Sequence, residues 1–232
     1  MAALWAEPTV YRHDLFKSAV VLVSGGGTGI GRAIALLLAR LGAQVVICGR
    51  TQEKLDRVAT FAGERGAKIL AIATNVRDPD QVTQLFDRIA KDCGPLTAVV
   101  NNAGGQFSQA AIDFSVKGWN AVIDSNLNGT WYMMQAAARY WREAHLPGAL
   151  VNLVAVVDRG IPGIAHSMAA PCWRHCGHTH SGRGMGAVQH SSQLHRPWTN
   201  RQRRSGRLSS RGAPRLPPSQ SHETPRQPAR DR

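Results

Sequence analysis

Beyond residue 168 the chain contains no lysine, isoleucine, phenylalanine or tyrosine. A segment this poor in large apolar side chains cannot bury enough surface to offset the entropy of ordering it. Arg, Pro, Ser, Gly and His dominate there instead, and residues 169–232 are expected to be a disordered basic tail. Nowhere is there an apolar run long enough to span a bilayer as a helix. The first 15 residues, MAALWAEPTVYRHDL, also lack the apolar centre of a signal peptide. The four cysteines, Cys48, Cys93, Cys172 and Cys176, form no spaced framework, which excludes a disulfide scaffold and suits a reducing, cytoplasmic setting.

The formal charge of +13 suggests an acidic partner such as nucleic acid. Its distribution argues otherwise. Residues 1–168 carry 16 Lys and Arg against 13 Asp and Glu, whereas residues 169–232 carry 12 arginines against two acids. The front of the chain is therefore nearly neutral. A nucleic-acid arm remains an alternative for the tail, but the tail lacks Lys and interleaved Phe or Tyr. Cys172, His175, Cys176, His178 and His180 are metal-ligand types at spacings that match no standard zinc pattern, so no metal is expected.

Residues 1–168 read as an α/β domain. Ala19–Ser24 (AVVLVS), Gln44–Cys48, Lys68–Ala73, Thr97–Asn101 and Ala149–Val156 are short apolar runs of the kind that form buried parallel strands. Helical spacing fills the intervals: Ile30–Leu41, Thr51–Arg65 with Thr51 as N-cap, Asp78–Asp92 with Asp as cap and Pro79 next, and a long, partly broken helix within Ser115–Tyr140. This alternation predicts a doubly wound parallel sheet of Rossmann type, with the first strand central and a ligand bound beyond the strand C-termini.

The first strand runs into Ser24-Gly25-Gly26-Gly27-Thr28-Gly29-Ile30-Gly31. Glycines let the backbone approach a pyrophosphate closely, and the following helix N-terminus offers free N–H groups and a favourable dipole. A glycine-rich turn without a ligand is the plain alternative. Its position between a buried strand and an apolar helix favours a nucleotide.

The spacing Gly25-x-x-x-Gly29-Ile30-Gly31, with Asn101-Asn102-Ala103-Gly104 after the fourth strand, resembles the short-chain dehydrogenase/reductase family over roughly residues 12–168. The stretches LFKSAVVLVSGGGTGIGRAIA and KGWNAVIDSNLNGTWYM are similar to its trans-2-enoyl-CoA and dienoyl-CoA reductase branch. The resemblance implies cofactor contacts from Gly25, Gly27, Thr28, Gly29, Ile30 and Gly31 in the first loop. It implies further contacts from Asn75 and Val76 against the adenine, and from Asn102, Ala103 and Gly104. It also implies that Asn126 helps hold a proton-relay water. NAD binders place an acid after the second strand, but Cys48-Gly49-Arg50 stands there. Arg50 can pair with a 2′-phosphate, with Arg32 placed to assist, so NADP(H) is the expected cofactor; an exposed helix-start arginine is the alternative.

The family's serine, tyrosine and lysine do not appear where the resemblance puts them. Val154 or Ala155 takes the serine position, Ser167 the tyrosine position and Pro171 the lysine position. His166 is a titratable neighbour that could act as an acid or merely lie on a loop surface. Codon arithmetic suggests why. Reading each tail codon as its last two bases plus the next base turns Met185-Gly186 into tryptophan, and Trp173 and Trp198 into glycine, with no freedom. Gln193–Asn200 can then read Asn-Cys-Ile-Ala-Pro-Gly-Pro-Ile, close to the family's sixth strand and Pro-Gly turn. Residues 169–232 therefore read as out-of-frame translation, with the slip near residues 168–171. The expected function is an NADP(H)-dependent oxidoreductase acting on a small molecule, in the branch's terms an acyl-CoA thioester. Its activity is expected to be impaired and its oligomer interface disrupted. A non-catalytic nucleotide-binding protein is the alternative.

Overall fold

The computed structural model describes residues 1–154 and 163–165. His166, Ser167, Pro171 and the whole tail, with the domain boundary at 168, lie outside the described residues. Five parallel strands form one sheet in the order β3-β2-β1-β4-β5. They are β1 (Val20–Ser24), β2 (Gln44–Gly49), β3 (Ile69–Ala73), β4 (Leu96–Asn101) and β5 (Ala149–Asn152). The first strand is central, as expected, and pairs with both β2 and β4. The helices between them are α2 (Gly29–Arg40), α3 (Gln52–Gly63), α4 (Pro79–Asp92), α5 (Val116–Ile123) and α6 (Gly129–Glu143). A short α1 (Ala2–Ala6) precedes them and was not expected from the sequence. Arg40 fixes it by donating to the Trp5 carbonyl at 2.5 Å, and the Trp5 ring meets Phe61 edge-on at 6.0 Å.

Successive side chains of a strand point to opposite faces, and both faces here are apolar. Leu22, Val46, Val99 and Leu150 pack with Leu85, Ile89, Met133 and Trp141 from α4 and α6. Val21, Val23, Val45 and Ile47 pack with Ala35, Leu36, Leu55 and Val58 from α2 and α3. That double burial explains why the strands read as continuous apolar runs rather than alternating ones. Helix starts follow local chemistry. Asp78 caps α4 by accepting from the N–H groups of Asp80 and Gln81 at 3.0 and 3.3 Å, and Ser115 caps α5 by accepting from Gly118 N–H at 3.0 Å. The break in the long helix is a π turn at Asp124–Asn128, where the Gly129 N–H reaches back to the Asp124 carbonyl. β5 ends at Asn152, short of the expected strand to Val156, and residues past 154 on that run are not described.

Among the described residues no helix is long and apolar enough to cross a membrane, and no cluster of three metal-ligating side chains occurs. Trp141 is fully buried and its indole N–H donates to the Leu96 carbonyl at 2.6 Å. A Cβ on Gly148 would stand 2.0 Å from two atoms of that ring. Gly148→Ala should therefore destabilise the fold by about 2 kcal/mol through overpacking. Urea unfolding measures it, and a neutral result would show that the ring can move aside.

Cys48 lies in the dry centre of β2, and burial pushes its thiol up from 9.0 to about 12, offset only in part by a backbone hydrogen bond from Gly25. Between those values the folded chain keeps a proton that the unfolded chain loses, so stability falls as pH rises through that window. The expected slope is about 1.4 kcal/mol per pH unit. Urea titrations above pH 9 should show this slope reduced in Cys48→Ala; equal slopes in both proteins would refute it.

Candidate functional site

The loops leaving the C-terminal ends of β1, β2, β3 and β4 surround one crevice. Gly25 begins the first loop at φ +69°, a backbone conformation that side-chain-bearing residues rarely adopt. Its N–H donates to the Cys48 carbonyl at 2.8 Å, which ties the loop to β2. At Gly31 an added Cβ would fall 2.3 Å from Asn102 Nδ2 and 2.4 Å from the Gly25 carbonyl oxygen, so only glycine lets α2 start this close to the sheet. Asn102 Nδ2 donates to the Ser24 carbonyl at 2.9 Å. Ser24 Oγ accepts from the N–H groups of Asn102 and Ala103 at 3.0 and 2.9 Å. Asn102 thus holds the glycine loop in place and does not itself line the crevice.

The crevice encloses a cavity of about 400 Å³. Eight of the residues expected from sequence line it: Gly25, Gly27 and Thr28, then Arg50, Asn75 and Val76, then Ala103 and Gly104. Gly29, Ile30 and Gly31 do not, because they begin α2 behind the loop, and Ile30 is exposed. Arg32 is also absent from the lining, and its Nε is buried without a hydrogen-bond partner. The sequence reading missed Lys54 and Thr51 from the start of α3, Thr74 and Arg77 around the β3 loop, Gln106 and Phe107 beyond Gly105, and Ser125 in the π turn. The i, i+4 spacing of Arg50 and Lys54 at a helix start was the signal for one of these.

The charge of the cavity has one sign. Arg50, Lys54 and Arg77 line it, and its described lining includes no carboxylate, histidine, cysteine or tyrosine. The acids nearest in sequence are engaged elsewhere: Glu53 pairs with Arg57, and Asp56 accepts from Gln52 at 2.6 Å. Among the described residues neither Arg50 nor Lys54 forms an ion pair. Such a lining favours a polyanion, and a glycine loop beside a helix N-terminus adds N–H donors for phosphate.

Asn126 sits in the π turn, away from the cavity lining. Its Oδ1 accepts from Gly105 N–H at 2.9 Å and its Nδ2 donates to the Gly105 carbonyl at 3.0 Å, so both ends of the amide hold the loop after Gly104. Its own carbonyl accepts from Thr130 Oγ1 at 3.0 Å. Val154, at the position expected for serine, brings no hydroxyl.

Residues 19–166 match the model of the short chain dehydrogenase family. A Bacillus subtilis protein named "Probable 2,4-dienoyl-CoA reductase [(2E)-enoyl-CoA-producing]" is 35% identical over 155 residues, covering 65% of this chain and 59% of that protein. The chain therefore matches less than two thirds of that relative's length. The crystal structure of a short chain dehydrogenase from Bacillus anthracis aligns at a TM-score of 0.68 and 37% identity, over 74% of this chain and 71% of that one. A citronellol catabolism dehydrogenase from Pseudomonas aeruginosa aligns at 0.73 and 31% identity, over 79% and 75%. With its parallel sheet, its interlocked glycine and Asn-Asn-Ala-Gly loops and these relatives, the chain belongs to the short-chain dehydrogenase family of NAD(P)-binding oxidoreductases.

Proposed function

We propose that this chain is an NADP(H)-binding short-chain reductase of the enoyl-thioester type whose catalytic half has been replaced by a frame slip near residues 168–171. The observation that carries the cofactor choice is the cavity's cationic lining, with Arg50 just ahead of α3, Lys54 in its first turn and no acid at the end of β2. An NAD site needs a carboxylate there to accept from the ribose hydroxyls, whereas a 2′-phosphate is met by charge-assisted donors. In this reading Arg50 and Lys54 hold that phosphate, and Thr51 lends its hydroxyl, which caps no helix N–H. Gly25, Gly27 and Thr28, just ahead of α2, take the pyrophosphate, and Asn75 and Val76 wall the adenine. When bound, the cofactor supplies a hydride suited to the β-carbon of an unsaturated thioester.

The name of the Bacillus subtilis relative supports the thioester as substrate class. What the chain lacks, at the positions the family uses, is the tyrosine and lysine pair that transfers the proton. Neither Val154 nor Pro171 can serve, and a serine hydroxyl at 167 is too weak an acid to replace a tyrosine activated by lysine. Binding without appreciable turnover is the expected behaviour.

Arg50→Ala should weaken NADPH binding about tenfold to a hundredfold, the loss of about 1.4–3 kcal/mol that a charge-assisted contact carries, while NADH binding changes less than about twofold. Lys54→Ala should act in the same direction with a smaller effect. Equal losses for both cofactors would remove the 2′-phosphate assignment. In a second test, cofactor fluorescence should report NADPH binding to the wild-type chain while absorbance shows no consumption of NADPH with a trans-2-enoyl-CoA. Brisk turnover would overturn the proposed loss of catalysis. The frame slip itself is read by sequencing the coding DNA across codons 165–172.

A further inference from the structure

The loop after β3 and the π turn between α5 and α6 meet at two places. Arg77 Nε donates to Ser125 Oγ at 2.6 Å, and Ser125 Oγ donates onward to the Ala121 carbonyl at 3.0 Å. Four residues past Ser125, on the other side of Asn126, a Cβ on Gly129 would stand 2.9 Å from Val76 Cγ2 and 3.0 Å from the Val76 carbonyl oxygen. The turn's backbone therefore rests directly on the loop. Between these two contacts Asn126 grips Gly105 through both ends of its amide.

These contacts join parts of the cavity that the sheet holds apart. The β3 and β4 loops leave strands separated by β2 and β1, three strand spacings or about 14 Å. Arg77 and Ser125 both line the cavity, as do Gly104 and Gly105. Hydrogen bonds and close packing thus run without interruption from Asn75, whose Oδ1 accepts from Arg77 N–H at 3.3 Å, through the π turn to Gly105. A hydrogen-bonded element seated against two loops can carry coupling between their ligands.

We infer that Arg77 and Ser125 are positioning residues that link the adenine end of the cavity to the Gly104–Gly105 loop, so that an adenosine phosphate bound at one end steadies the other. The inference rests on the proposed nucleotide reading, in which Asn75 and Val76 wall the adenine. A merely structural Arg77 would stabilise the fold without carrying a ligand's effect across it.

The test uses the whole chain and 2′,5′-ADP, the adenosine half of NADPH, with hydrogen exchange read at single amides. In the wild type the probe should slow exchange both at Thr74, which bonds the Gly49 carbonyl beside the adenine end, and at Gly105, by about fivefold or more. In Ser125→Ala and Arg77→Met, each read at a probe concentration that saturates that variant, the Thr74 effect should persist while the Gly105 effect disappears. Ser125→Ala keeps the guanidinium and removes one hydroxyl, so it carries the test should Arg77→Met not fold. If the probe binds and Gly105 is unaffected in the wild type, or equally slowed in the variants, the coupling is refuted while the nucleotide reading stands. If the wild type binds no 2′,5′-ADP, both fall together.

Discussion

The site depends on the contact between Ser24 and Asn102. Ser24 ends the central strand, and its hydroxyl takes two backbone N–H groups from the loop after β4 while Asn102 returns a side-chain bond to the Ser24 carbonyl. Ser24 is buried and Asn102 half-buried, so the Ser24 groups in particular would be costly to leave unpaired. This reciprocal arrangement fixes where the glycine loop begins, and Gly31 then lets α2 press against it. Cofactor affinity and fold stability are therefore partly one quantity here, because the groups that shape the phosphate cradle also close the end of the sheet.

A second constraint is electrostatic and local. The charge of +13 is the most conspicuous number in the composition, yet it says little about the site. Three cations around one cavity matter more than twelve arginines in the tail, because they converge on a small volume while nearby acids are committed to other partners. Concave surfaces with one sign of charge concentrate an anionic ligand before any specific contact forms.

The fold was largely legible because two-sided burial leaves a plain mark, apolar runs with no alternation, and because Asp78, Pro79 and Ser115 announce their helices chemically. α1 was not legible, since its place depends on Arg40 and Phe61, residues distant in sequence. The same limit applied to the site. Glycines with a backbone reason to be there could be named in advance, though two of them, Gly29 and Gly31, serve packing or the helix start rather than the cavity lining. Arg77 and Ser125 could not, because an arginine in a loop and a serine in a helix acquire meaning only when 48 residues of intervening chain bring them together. Asn126 was found by resemblance, but its grip on Gly105 is a fact of three-dimensional placement.

Every described residue lining the cavity falls between Gly25 and Ser125. Synthesis runs from the N-terminus, and domains fold in that order as they emerge. The ribosome thus completes this described part of the lining before it reaches the codons where the composition changes. A change in decoding at that point would leave these described lining residues as they are. Val151 in β5 and Leu153 just after it are half-buried among the described residues. A lesion in the message would then part recognition from reaction along the time axis of translation, leaving the earlier-made half chemically intact.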